Sequence, residues 1–546
     1  MKKAYIFLSL LVVLWSLTSC SSEASLPKNS LQFNTYNDGT AFVTGIGNYT
    51  DKKIVIPSKT PNGQTVVAIG RGAFKGTDIE EVVIPESVTS IGNEAFLNCE
   101  NLKSVSFSNG LEKIGNRAFA NSALESITLP DSVTQIGEEA FYNSNLTSAN
   151  LGNGKTEIKS KAFAQCASLS ILKLSPNTVS ITKNSLRSPS IVEIFIPGTL
   201  VVVSEEMFYE FRSLEKVEIA EGVTSIEEKA FYRCEALVEV KLPYTLENIG
   251  DFAFAGCSSL NKITLNNCLK TIGEAAFENC CALTEMNIPN SVEDIGAAAF
   301  SGCKELKKFA FPKYFSSIPR EIFLNCKKLA EIEFPVAYWI IGSYAFSGCT
   351  SIESFDLPDY VTDIGDGAFS NTSITSITIP DTLSYLGSGA FQECKKLQSI
   401  TLPKNLTYIP DNCFDGCASL IDFNIPKKVT EIGYGAFSRC TAITSLTVPA
   451  SVTTIHANAF TGCTNLESVV FSEGVVSLGY YMFLGCVSLK EVYLPSSVKI
   501  IEKSVFDVYL ESLENIYYNG SETTISSIYI GEDNDMLYSE AMKFKY

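Results

Sequence analysis

The feature that most constrains this 546-residue chain is a period. Aligning the dipeptide Ala-Phe and its equivalents gives twenty hydrophobic anchors from Phe74 to Phe506, only Leu186 among them not phenylalanine, and every step is 22 or 23 residues. A unit this short has an apolar face that it cannot bury alone, so it must stack on its neighbours. The spacing therefore predicts a single mostly β solenoid of about twenty coils in place of several globular domains.

One unit, LESITLPDSVTQIGEEAF, shows how a coil is built. Leu124, Ile127 and Leu129 alternate with Ser126 and Thr128 as in a short strand with one buried face, and Pro130 ends it because proline cannot donate to a ladder. Val133 and Ile136 begin a second extended or 3-10 piece, Gly137 is expected to supply a sharp bend, and Ala140 and Phe141 plug the inside. Strands stacked about 4.8 Å apart would make the array on the order of 90 to 100 Å long.

The pattern L-x-x-I-x-L-P-x-x-V-x-x-I-G-x-x-A-F-x-x-C, carried across residues 70 to 518, closely resembles the BspA-like class of bacterial leucine-rich repeats. The resemblance implies a leucine-rich-repeat solenoid with a parallel β-sheet face. One departure is that the cysteine precedes the strand by three residues, so the asparagine ladder of other leucine-rich repeats is not assumed. Expected boundaries are an N-terminal β cap at 31–70, the repeat array at 71–515 and a C-terminal cap at 516–546, since the outermost coils would otherwise expose apolar faces.

The first nineteen residues read as a secretory signal: Lys2 and Lys3, then an apolar run from Ala4 to Trp15, too short for the roughly 20 residues a bilayer needs. The ending Leu17-Thr18-Ser19-Cys20 resembles the lipobox of bacterial lipoproteins, which implies lipidation at Cys20 and a lipidated tether over 20–30. Ser21 resembles the sorting signal for the outer membrane, and the expected location is that membrane, lipid-anchored and facing the cell surface. Without Lys2 and Lys3 the chain has 40 basic against 60 acidic side chains, about −20 net, a surface that repels nucleic acid.

Thirteen of the seventeen cysteines lie three residues after an anchor. Export invites a disulfide framework, but turn length argues otherwise. When six residues separate the anchor from the next strand, thirteen of fourteen coils have cysteine, Phe211 being the exception. When five separate them, none does, and Thr77, Ser122, Ser144, Pro189 and Thr372 take the place. Cysteine that tracks a turn form and alternates with small hydroxyl residues reads as a packed free thiol. No metal site or cofactor is expected, as there is no C-x-x-C and His456 is the only histidine.

His456 reads as a corner variant. Glu333 and Asp356, at equivalent outward positions of adjacent coils, are the one carboxylate pair that could serve acid–base chemistry, but a flat strand face offers no pocket and no catalytic residue is assigned. Aromatics interrupt the polar surface in PKYFSSIP and PVAYWIIG, and the candidate ligand-binding residues are Tyr314, Trp339, Tyr360, Tyr385 and Tyr408. Phe315 and Tyr338 fall where valine points inward. The irregular coils between Leu186 and Phe211 are a second candidate region, and Asp131-Ser132-Val133 and Asp381-Thr382-Leu383 resemble a short O-glycosylation signal.

The resemblance implies a cell-envelope protein that binds host matrix proteins or other cells. The alternatives are a periplasmic or surface scaffold, such as a glycan-binding partner of an uptake system, and, more distantly, a glycan-active enzyme. Partners are then an extracellular protein or glycan, with the membrane reached through Cys20. Metabolic labelling with an alkynyl fatty acid should mark the protein, and Cys20→Ala should abolish the label and release the chain from membranes.

Overall fold

The computed structural model describes residues 30–336, 339–507 and 509–544; the signal segment and Cys20 lie outside them. The chain winds into a mostly β parallel solenoid of about 22 turns. Its twenty anchored coils are extended by one turn at each end. Gln32–Thr35 and Ala41–Gly45 form an antiparallel hairpin, which the first coil continues through Lys53–Val55 and Val66–Ile69. At the other end Tyr529–Ile530 and Met542–Phe544 prolong both rows of strands past a one-turn helix at Glu522–Ile525.

Each coil contributes one strand of mostly three or four residues and one of two residues, such as Ser126–Thr128 and Gln135–Ile136. Ile127 is buried between exposed Ser126 and Thr128, the alternation the sequence predicts. Both rows pair in parallel from coil to coil, yet neither is continuous. The longer row is interrupted between Ser104–Ser106 and Ser126–Thr128, between Lys262–Ile263 and Glu285–Asn287, on both sides of residues 354–356, and between Asp422–Phe423 and Ser445–Val448. The shorter row is interrupted elsewhere: after Ser180–Ile181, after Asp294–Ile295 and after Tyr385–Leu386. At every such junction the other row stays paired.

A third ladder, outside both rows, runs through the anchor turns. The residues two before and two after the anchors adopt left-handed backbone, as at Lys229 (φ 54°) and Arg233 (φ 55°) around Phe231; Ser188, two after Leu186, is an exception, and the residue two after Phe506 lies outside the described residues. In that conformation three N–H groups face the next coil. Lys229, Phe231 and Arg233 donate to the carbonyls of Asp251, Ala253 and Ala255 at 2.8–2.9 Å. A left-handed non-glycine residue costs roughly 1–2 kcal/mol, and each inter-coil bond returns about 1 kcal/mol net.

The recurrent Ile-Gly step has a different role from the bend expected of it. Gly92 and Gly137 are not left-handed. A Cβ on Gly92 would stand 2.8 Å from Arg71 N, and one on Gly137 2.6 Å from the Gly115 carbonyl carbon. Glycine lets one coil lie directly on the backbone of the preceding one.

Inside, the anchor rings stack in two runs, Phe74 to Phe163 and Phe208 to Phe506, separated by Leu186. Phe231 and Phe254 are typical, with centroids 5.2 Å apart and planes 3° off parallel. The gap at Leu186 coincides with the interruption after Ile181 and with a 3-10 turn at Gly198–Leu200 followed by Val201 at φ 58°. The irregular coils are therefore a seam between two ring stacks.

All sixteen described cysteines are free thiols. Each of the thirteen ladder cysteines donates its S–H to the carbonyl of the preceding coil's anchor, Cys257 to Phe231 at 3.1 Å for example. The slot read from the sequence is thus also a hydrogen-bond position. In the five-residue turns Thr77, Ser144 and Thr372 bond their own anchor's carbonyl instead, so that at Phe74, Phe141 and Phe369 a hydroxyl and the next coil's thiol share one oxygen. Burial pushes the Cys394 thiol up to about 11 and the Cys486 thiol to about 12. A thiol reagent at neutral pH should therefore titrate exposed Cys268 readily, half-buried Cys281 slowly and the ladder hardly at all. Unfolding residues 30–544 should release sixteen thiols without any reductant.

Candidate ligand-binding surface

The candidate aromatics occupy three places in the coil. Tyr314 and Tyr360 stand nine residues before their anchors, Trp339 seven, and Tyr385 and Tyr408 six. All lie on or just before the shorter strands, away from the outward face of the longer row. Tyr314 is 78% exposed with Lys313 Nζ 5.3 Å above its ring. Trp339 meets Tyr360 edge to face at 5.7 Å, and Tyr360 donates to the Val336 carbonyl at 2.6 Å. Phe315 is buried in the valine position, as its register requires; Tyr338 lies outside the described residues.

Tyr385 and Tyr408 begin the short strands Tyr385–Leu386 and Tyr408–Ile409 of consecutive coils. The Tyr385 hydroxyl donates to Asp366 Oδ1 at 3.1 Å, which also accepts from Ser388 N at 2.8 Å. Asp411 Oδ1 accepts the Tyr408 hydroxyl and Tyr434 N, both at 2.7 Å. Burial first, and then the adjacent carboxylate, hold both phenols above their usual range, so they remain proton donors at physiological pH.

Tyr434 and Tyr480 belong to the same surface and were not singled out from the sequence. They sit in the variable position three before the anchor, in IGYGAF and LGYYMF. Asn458 Nδ2 donates to the Tyr434 hydroxyl at 2.6 Å, and the Tyr434 and Tyr480 rings are 6.3 Å apart. The same corner position carries a short side-chain ladder in several coils, where Asn93, Asn116, Asp251, Asp366 and Asp411 each accept the N–H of the equivalent residue one coil on.

Other candidates resolve into architecture. The longer row is broken between Glu333 and Asp356, so no strand pairing sets them side by side, and Glu333 instead faces Lys308 Nζ at 3.3 Å. His456 pairs with the Glu431 carboxylate of the coil before it. Ser132 donates to the Leu111 carbonyl and Thr382 to those of Asp359 and Val361, while Asp131 and Asp381 each accept a backbone N–H of the next coil. An open groove of about 1050 Å³ lies over the break after Phe423, lined by Thr401, Ile421, Asp422, Asn424 and Thr447, and none of the candidate aromatics borders it.

Short coils with two parallel strand rows and a ring-stacked interior define a leucine-rich-repeat solenoid. The BspA type leucine rich repeat region matches residues 67–192, 201–330, 316–444 and 435–532, and the chain belongs to that family. Among solved structures, a leucine-rich repeat protein from Bacteroides ovatus is 24% identical over 90% of this chain and 98% of its own, with a TM-score of 0.39. A leucine rich cell surface protein from Faecalibacterium prausnitzii is 23% identical over 94% of this chain and 99% of its own, TM-score 0.28. A leucine-rich repeat protein from Bacteroides capillosus is 34% identical over 24% of this chain and all of its own, TM-score 0.22. Comparison with curated proteins gives no match.

Asp411 is the acceptor that joins two coils and one ring. Asp411→Ala should lower the chemical-denaturation midpoint by an amount corresponding to about 1–3 kcal/mol, the cost of orphaning a partly buried donor pair.

Proposed function

We propose that this chain is an envelope-anchored binding protein whose repeat array engages protein or cell-surface ligands through exposed aromatic side chains on successive coils. The observation that carries the reading is the run from Trp339 and Tyr360 to Tyr385 and Tyr408, a line of exposed or half-exposed rings along the shorter strands of a long open array. Tyrosine and tryptophan anchor interfaces because they bury much area for little lost rotamer freedom. A long surface adds weak contacts into useful avidity when the partner is itself extended or repeated. No helix among the described residues is long and apolar enough to cross a membrane; attachment in this proposal is through lipid on Cys20, at the outer membrane and facing outward.

Two measurements test it. Protease added to intact cells should remove the array. Purified protein should bind at least one of immobilised fibronectin, laminin and collagen, and the combined change Tyr314→Ala, Trp339→Ala, Tyr360→Ala should weaken that binding at least about tenfold. Protection from protease in intact cells would move the protein to the periplasm and exclude direct adhesion. Unchanged binding by the triple variant would remove these rings from the contact.

A further inference from the structure

One connected surface row is the chain Tyr408–Asp411–Tyr434–Asn458–Tyr480, which crosses four consecutive coils. Tyr408 and Tyr434 are both tied to Asp411, Asn458 holds the Tyr434 hydroxyl, and Tyr480 stands at 6.3 Å from Tyr434. Tyr385, held by Asp366, extends the line by one coil. The rings are between about a third and a half exposed: Tyr385 50%, Tyr408 36%, Tyr434 40% and Tyr480 42%.

We infer that this row is a platform for a neutral glycan chain. Three physical properties select that class. First, the Tyr385, Tyr408 and Tyr434 hydroxyls are held by Asp366, Asp411 and Asn458, so presenting those faces requires little further ordering on binding. Second, Tyr385, Tyr408 and Tyr434 each have a carboxylate or amide at the ring edge, and Tyr480 adds a ring 6.3 Å from Tyr434. A sugar ring needs that combination, since it offers a C–H face to stack and a rim of hydroxyls to bond, whereas a protein interface is built on a desolvated apolar centre. Third, the coils repeat at about the strand spacing of 4.8 Å, close to the advance of one pyranose in an extended β-linked chain. A polymer lying along the solenoid can therefore meet a polar or aromatic side chain from each successive coil, Tyr385, Tyr408, Tyr434, Asn458 and Tyr480 in turn. The formal charge of −18 disfavours sulfated or uronic polymers, which leaves neutral glycans.

This deepens the binding reading by naming a ligand class for one surface, and its test is separable because it uses purified protein and soluble sugars. Calorimetric titration with cellohexaose, laminarihexaose, mannohexaose and xylohexaose, with chondroitin sulfate as polyanion, is the experiment. At least one neutral hexasaccharide should bind. Tyr434→Ala with Tyr480→Ala should weaken it about tenfold, Tyr434→Phe with Tyr480→Phe should keep most of the affinity, and Tyr244→Ala, an exposed tyrosine elsewhere on the array, should leave it unchanged. The inference is overturned if no neutral hexasaccharide binds, if binding survives the double alanine change, or if chondroitin sulfate or a matrix protein proves to be what those two tyrosines hold. Adhesion to matrix proteins without sugar binding would defeat this inference alone; sugar binding by a protein that protease cannot reach on cells would defeat only the adhesin reading.

Discussion

The anchor turn is the interaction on which everything else in the molecule depends. Around each phenylalanine anchor from Phe74 to Phe483 the backbone takes two left-handed residues, a conformation that costs energy at the glutamates, lysines and arginines that often occupy it. What sustains it is the next coil, whose carbonyls receive the three N–H groups so exposed. A single coil would have the cost without the bonds, which is why the chain is stable only as an array. The ring stack and the cysteine thiols follow from the same geometry, because both occupy the space that the tight turn encloses.

Much of this was legible in the sequence. The period fixes the coil, the alternation around Ile127 fixes which face is buried, and the turn-length rule separates cysteine from hydroxyl coils. The thiol's partner was not legible. Cys257 and Phe231 are a coil apart, and nothing local says that one donates to the other. Gly137 misled, because glycine serves both left-handed backbone and close approach, and the sequence does not distinguish them. The left-handed positions were hidden for the opposite reason: Glu, Lys, Asn, Phe and Gly all occupy them, so they read as variable.

The surface was the least legible part. Tyr385 and Tyr408 could be found as aromatics in a polar place, but their carboxylate partners could not, since Asp366 lies in the previous coil and Asp411 in the same one. Tyr434 and Tyr480 were passed over because the motif that reveals the fold assigns their position no preference. Positions that a repeat leaves free are where function can accumulate, and a consensus is blind to them by construction. The carboxylate pair Glu333 and Asp356 shows the converse: register inferred from a perfect repeat fails where the strand row is broken.

One row on the sheet face has a consequence for how the array assembles. At the first position of the longer strands, Glu193, Lys216, Glu239 and Lys262 face one another in register, and Glu285, Lys308 and Glu331 continue the alternation past the break. Nearly identical coils could in principle stack in the wrong order, with one looped out and its neighbours closed over the gap. In this stretch such a skip would put glutamate on glutamate or lysine on lysine at strand spacing, where like charges repel. The alternation thus acts as a parity check on coil order, written in charge because the buried positions are too alike to tell one coil from the next.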